Sequence, residues 1–419
     1  MKNRLTLLTV YFIVFLNALG YFLILPSLIE GLSNPTYGLI SPALMQHFGD
    51  YFFAIILGVG SLAGVMAAPF LGRLSDHIGR RKTLIFCTIL TLISVLLPML
   101  GFIKSSLSLF LLGNIVNAIA SNNQPIAQAV ISDVSPRGER RAYRLSLDTL
   151  VVCIAMTLGP LLATSFHKYF ASVQWNLAMP FIIAALLTLV ALGLALYVLP
   201  ETLTQPPGLR LSLRHAFSLS SVTDTLRLSR SVKRFLFIFV LAQTGWAGFF
   251  QYLYVYLSFH LHWSDTTLSW YMSSLGLYLG LSLALLYPVL LRACTLMQGV
   301  CFCLGLSTVS LGLMALFPNA FSLWALAPFL AAGIGMYFPS LITLFSQEIP
   351  ATEQGWIMAV SMSCIGIAWC LTGFTSVYLS RFSPTLPILA SALFLGASWL
   401  LSVLSSSRTR GPSPIIFRK

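Results

Sequence analysis

Only eleven of the 419 residues are acidic, so any carboxyl inside an apolar segment is a place where proton chemistry could occur. Asp148 comes nearest, about one helical turn inside an apolar run over about 145–166. A carboxyl there can carry a proton, or it can be neutralised as part of a gate by Arg140, Arg141 or Arg144 just before it. A second pattern is uncharged. Asn114, Asn117, Ser121, Gln124 and Gln128 follow one another at spacings of 3, 4, 3 and 4, which puts all five on one face of a helix. Facing hydrocarbon they would be costly. They therefore border a polar cavity, or they hold helices together through hydrogen bonds worth about 0.6 kcal/mol each. Other groups of the same kind are Asn17 and Tyr21, then Gln243, Trp246 and Phe250, and then Tyr337 beside Gly333, Gly335 and Pro339. Aromatic rings with uncharged hydrogen-bonding groups suit a flat or amphipathic organic molecule. No clustered acid–base or nucleophile constellation accompanies them, so an enzyme is not expected. His260 and His262, two apart, are poorly spaced for a metal on a helix. The seven cysteines include no CxxC and read as small apolar packing residues.

The elements that must position these groups follow from composition. Hydrophobic residues make up 57% of the chain and charged residues 8%, far below the charge that coats a soluble globule. Apolar runs between polar punctuation number twelve, at about 5–29, 51–72, 83–103, 107–131, 145–166, 177–199, 234–259, 267–291, 294–317, 321–346, 355–378 and 384–404. Each is long enough for a membrane-crossing helix, and hydrocarbon leaves an open strand's amides without partners. With both termini cytoplasmic, 21 of the 24 Lys and Arg residues fall inside, a strong positive-inside asymmetry. This placement also explains the net charge of +13 through span ends and anionic headgroups, without nucleic acid. Glu30 and Asp50 bracket the first outside loop and could serve an outer gate.

The longest inside segment, 200–233, divides the chain into an N-terminal six-helix bundle at 1–199 and a C-terminal one at 234–404. A short basic tail occupies 405–419. Asp133 to Pro136 with Glu139 and Arg140 is echoed by Glu348 to Pro350 with Glu353 and Gln354, Pro136 and Pro350 being 214 residues apart, as are Glu139 and Glu353. A parallel repeat of this kind is a transporter architecture.

After the second run the sequence reads Ala68-Pro69-Phe70-Leu71-Gly72-Arg73-Leu74-Ser75-Asp76-His77-Ile78-Gly79-Arg80-Arg81-Lys82. Gly72 and Gly79 allow a tight reversal between helices. Asp76 can meet a helix N-terminus, where a carboxylate is favoured by about 0.3–1 kcal/mol. Arg80 or Arg81 can pair with Asp133, forming a latch that is made in one conformation and broken in another. The alternative is that the basic residues only set topology.

This loop resembles the G-x-L-S/A-D-x-x-G-R-R/K signature of the major facilitator superfamily. Asp133 with Glu139-Arg140, Gly159-Pro160, Pro200-Glu201-Thr202 and the stretch His262 to Leu268 are also similar to that superfamily. The nearest branch by these motifs is the tetracycline-efflux-like drug/proton antiporters. The resemblance implies an all-α integral membrane fold of twelve transmembrane helices in two pseudo-symmetric bundles. In that fold helices 1, 4, 7 and 10 line a central cavity, and pairs 2/11 and 5/8 meet between the halves. It assigns Asn17, Tyr21, Asn117, Ser121, Gln124, Gln243, Trp246, Phe250 and Tyr337 to substrate binding. It assigns Gly72, Asp76, Gly79, Arg80, Arg81, Asp133, Glu139 and Arg140 to gating. Asp148 is left as the coupling candidate. Gly60-x-x-x-Gly64 and Gly276-x-x-x-Gly280 would permit close approach at the pairs 2/11 and 5/8. The chain departs from the branch at Asn17, where an aspartate is frequent, and at Asn114, where an arginine is.

The expected function is secondary transport of a small organic molecule by alternating access. No Walker motif supports ATP drive, and the resemblance implies a proton gradient and efflux. No cofactor or metal is expected. The expected partners are the substrate and membrane lipids, the expected state is a monomer, and the expected location is a bacterial inner membrane. Uptake of a nutrient or siderophore by the same fold is the alternative, and a transporter-like sensor is the alternative of another class.

Overall fold

The structure is a computed structural model and describes residues 2–33, 62–68, 70–121, 123–136, 139–166, 173–203, 229–349 and 354–406. The connector over 204–228, the tail from 407, Asp50, Gly60, Pro350 and Glu353 lie outside the described residues.

All regular structure among the described residues is helical. Among the described residues ten helices are long and apolar enough to cross a membrane. The other two expected spans show why they are not among the ten. Span two is described only over 62–68 and 70–78. Span four is divided into Leu107–Ala120 and Asn123–Asp133. Pro125, in the first turn of the second piece, has no N–H for the carbonyl of Ser121, so the helix breaks there. Span one is Lys2–Ser33, span three Arg80–Ile103, span five Glu139–Phe166 and span six Val173–Tyr197. Span seven is Arg230–Val255 and ends in a π-helical turn, Tyr256–His260. Span eight begins as Asp265–Leu281 and continues through a π-helical turn, Ser282–Leu286, into Tyr287–Ala293, where Pro288 withholds an amide donor. Spans nine to twelve are Leu296–Leu316, Ala320–Glu348, Gln354–Ser380 and Leu386–Ser406.

The packing pattern repeats with a shift of six spans. Span one packs on five and six, and span three on four and six. Span seven likewise packs on eleven and twelve, and span nine on ten and twelve. Between the two sets, span five meets eight and ten, and the second piece of span four meets eleven. A β-carbon on Gly276 would lie 2.8 Å from Thr157 Oγ1 and 2.9 Å from its amide nitrogen, so spans five and eight touch backbone to backbone. Span two touches eleven through Ser363 Oγ, which donates to Val65 O at 3.4 Å. Gly64 serves a different contact from the expected one: its β-carbon would meet Ala118 O of span four at 2.9 Å.

Side chains are sorted for an apolar solvent. Leu8, Met66, Leu285, Leu393 and Leu404 are more than half exposed, whereas Thr88, Ser94, Ser307 and Ser398 are buried. Small hydroxyl side chains let helices approach and bond each other's backbones, as Ser398 Oγ does in donating to Ile238 O at 2.9 Å.

Candidate functional site

A cavity of about 470 Å³ opens between the two sets of spans. Span four supplies Asn114, Asn117, Ser121 and Gln124 to its wall, span one Tyr21, span seven Gln243, Trp246 and Phe250, and span ten Tyr337. The five-residue polar stripe thus splits. Four members border the cavity, while Gln128 turns to its neighbour and its Nε2 donates to Asp148 Oδ2 at 3.1 Å. Both readings of the stripe are realised, on different turns of the same helix.

Asn17 is the exception among the residues assigned to binding. It is not part of the wall; it lies buried, one turn before Tyr21, with neither side-chain polar atom hydrogen-bonded. Tyr337 is also fully buried and its hydroxyl has no partner, but it lies in the wall, where a bound molecule could supply one.

The aromatic part of the wall is continuous. Ring centroids of Trp246 and Phe250 are 5.3 Å apart, and those of Phe250 and Trp369 6.0 Å. Trp369, Met362 and Gly366 come from span eleven, and Thr149 and Val152 from span five. Sequence reasoning missed these two spans because an isolated aromatic or methionine in an apolar run looks the same whether it faces lipid or a cavity. Among the described residues, none in the wall carries a formal charge.

Arg80 is the hub of the second constellation. Its side chain is only 1% exposed and lies 2.5 Å from Asp76 Oδ1. Nε donates to Asp133 Oδ2 at 3.1 Å, and one terminal nitrogen donates to Ser75 Oγ at 2.6 Å. Burial raises the Asp76 and Asp133 carboxyls above the ordinary carboxylate value, and the Arg80 guanidinium pulls both back down.

Glu201 takes the place the sequence suggested for Asp76. Its carboxylate accepts from the amides of Arg80 at 2.9 Å and Arg81 at 3.2 Å, so it caps the N-terminus of span three. The signal was present in Pro200-Glu201-Thr202, but nothing local tied that triplet to residue 80. Gly79 has φ +108°, the left-handed region glycine permits, and makes the reversal. Gly72 does not make one: it is buried inside the helix over 70–78, its carbonyl accepting from Ser75 Oγ at 2.8 Å. Arg81 bonds the carbonyls of Ala195 and Leu196 rather than Asp133. Glu139 begins span five, and Arg140 beside it is exposed.

Asp148 is fully buried in span five. Two of the arginines that could have neutralised it are engaged elsewhere. Arg141 donates to Ser132 O and Ser135 O, and Arg144 to Val134 O at 2.8 Å and Ser135 Oγ at 3.2 Å, closing the end of span four.

Comparison with known proteins agrees with this geometry. The model of the Major Facilitator Superfamily matches residues 10–373. The tetracycline resistance protein, class H, of Pasteurella multocida is 24% identical over 409 residues, covering 95% of this chain and 93% of that protein. The proton-coupled folate transporter of Rattus norvegicus is 24% identical over 366 residues, covering 82% of this chain and 75% of that protein. Among solved structures, the human organic anion transporter MFSD10 (TETRAN) superposes with a TM-score of 0.80 at 19% identity, covering 96% of this chain and 99% of that one. Motif, fold and family model coincide across the chain, which belongs to the Major Facilitator Superfamily.

Proposed function

We propose that the protein is a secondary transporter that exports a small, flat organic molecule in exchange for protons. The observation that carries this reading is the cavity wall: residues from spans one, four and five and residues from spans seven, ten and eleven enclose one uncharged, partly aromatic space. A site built by both sets can open to either side as they rock against each other. The rocking units are the bundles 1–199 and 234–404. The connector 200–233, the tail 405–419 and both termini face the cytoplasm, and the membrane is the bacterial inner membrane. The Arg80 cluster then lies on the cytoplasmic side, where it holds that end closed in one conformation and releases it in the other. The names of relatives point to tetracycline resistance and to proton coupling. The absence of charge among the described wall residues favours cargo that binds by ring stacking and neutral hydrogen bonds.

The test is an untargeted comparison of small molecules retained by cells with and without the protein. Export predicts compounds selectively depleted from expressing cells, and depletion should vanish when the proton gradient is collapsed. Selective accumulation would establish uptake instead. Labelling of the 204–228 connector from outside sealed cells would overturn the orientation.

A further inference from the structure

We propose that Asp148 is the carboxyl that takes up and releases the coupled proton, and that Gln124 is the positioning residue linking it to the contents of the cavity. The inference rests on the transport reading and adds a site to it.

Asp148 lies directly beneath the wall, because Thr149 and Val152, next to it and one turn on along span five, already line the cavity. Its two oxygens are treated unequally. Oδ2 accepts from Gln128, whereas Oδ1 is buried with no hydrogen-bond partner. Gln124, one turn from Gln128 on the same face of span four, reaches the same carboxyl from the cavity side. A proton on Oδ1 would turn an orphaned acceptor into a donor, and the Gln124 amide, turned over from donating N–H to presenting its oxygen, would complete the hydrogen bonding of the pair. Cargo that draws Gln124 into the cavity would remove that acceptor. Proton and cargo would thus compete for one amide, which is what an exchanger needs.

The surroundings leave the role to this carboxyl. From span one, Tyr11 faces it, but the Tyr11 hydroxyl donates to Arg144 O at 2.9 Å. From its own span, the Arg144 and Arg141 guanidiniums are held by the backbone and Ser135 near the end of span four. Among the described residues no cation lies within ion-pair distance of Asp148. Asp76 and Asp133 are held by Arg80, and Glu201 caps span three. Asn17, deep in span one, cannot titrate. In each cycle the carboxylate takes one proton from water on one side and returns it to water on the other, with nothing else consumed.

Infrared difference spectroscopy on the full-length purified protein in lipid, titrated with acid, tests this without any cargo. A protonated-carboxyl carbonyl band should appear as pH falls. It should be lost in Asp148→Asn and persist at a shifted frequency in Asp148→Glu, and in Gln124→Ala its midpoint should move by about one pH unit. An unchanged titrating band in a folded Asp148→Asn protein would overturn the assignment. Vesicles given tetracycline as probe and an imposed pH gradient supply a second arm. Wild-type protein should build a tetracycline gradient, Asp148→Asn should not, and Asp148→Glu should restore it in part. Equal pH dependence in Asp148→Asn would sink the proposal. Wild-type vesicles that build no gradient would instead count against the exporter reading, while the infrared titration still decides the proton site.

Discussion

The Glu201 carboxylate fills the space that a side chain on Gly79 would occupy. A β-carbon built on Gly79 collides with Glu201 Oε2, at a backbone φ of +108°. The turn is therefore doubly closed to other residues. Gly79→Ala should cost about 1–3 kcal/mol through backbone strain alone, and it also evicts the cap of span three. Glu201→Gln keeps an acceptor but loses the charge, costing about 1 kcal/mol. Thermal unfolding of the purified variants should rank them wild type, Glu201→Gln, Gly79→Ala in falling stability. A Gly79→Ala protein as stable as wild type would remove this account of the turn.

Arg80 bridges Asp76, Asp133 and Ser75 with its side chain almost wholly buried. Arg80→Ala strands two carboxylates and should destabilise the protein by about 3–5 kcal/mol. Arg80→Lys should not rescue it, because one ammonium cannot reproduce a planar fork facing several acceptors. Asp76→Asn is milder and should lower turnover more than cargo affinity, since it loosens one arm of the cluster without touching the cavity. Normal flux at normal expression would show that the cluster is not part of the cycle.

The split stripe predicts a split phenotype. Asn117→Ala and Gln124→Ala should change cargo affinity or selectivity, because both residues line the cavity. Gln128→Ala should leave affinity near wild type and alter the behaviour of Asp148, its partner at 3.1 Å. Trp369→Ala should weaken binding of aromatic cargo by about 0.5–1.5 kcal/mol beyond lost contact area. Transport concentration curves over a panel of aromatic and aliphatic compounds separate these outcomes, and identical curves for all four variants would assign the stripe to packing.

Gly276 faces the Thr157 backbone at under 3 Å for any added carbon. Gly276→Ala must push spans five and eight apart, at a cost of about 1–3 kcal/mol, and should slow exchange between the two conformations. Gly312, which has open space around its Cα, gives the control: Gly312→Ala should be neutral or slightly stabilising. Equal melting temperatures for the two alanine variants would contradict the close contact.

Much of this arrangement could be read from residue types and spacing. The 3-4-3-4 spacing puts Asn114 to Gln128 on one helix face and leaves a cavity or helix packing open, and the sequence offers Arg80 or Arg81 to Asp133, of which Arg80 makes the pair. The misreadings share a cause: periodicity fixes which face of a helix a residue occupies, but not how deep it lies or which helix it meets. Asn17 and Tyr21 share a face, yet only Tyr21 reaches the wall. Gly64 lies on a packing face, yet its neighbour is Ala118 of span four rather than span eleven. Glu201 is 121 residues from the amide it caps, and no local pattern encodes such a distance. Gly159 stands out in the sequence as part of Gly159-Pro160, but its contact with Phe22 of span one becomes visible only when the two helices are brought together.

An uncharged wall also settles who carries the current. Moving one elementary charge through a membrane potential of 100 mV is worth about 2.3 kcal/mol. Since no described residue of the wall itself bears a formal charge, the wall adds no electrical work of its own, and the protein charge that moves with it is the Asp148 carboxylate whenever that group is ionised. Any sensitivity of the cycle to voltage must come from the net valence of the cargo and of the protons exchanged for it, and that of a single step from whether Asp148 carries its proton.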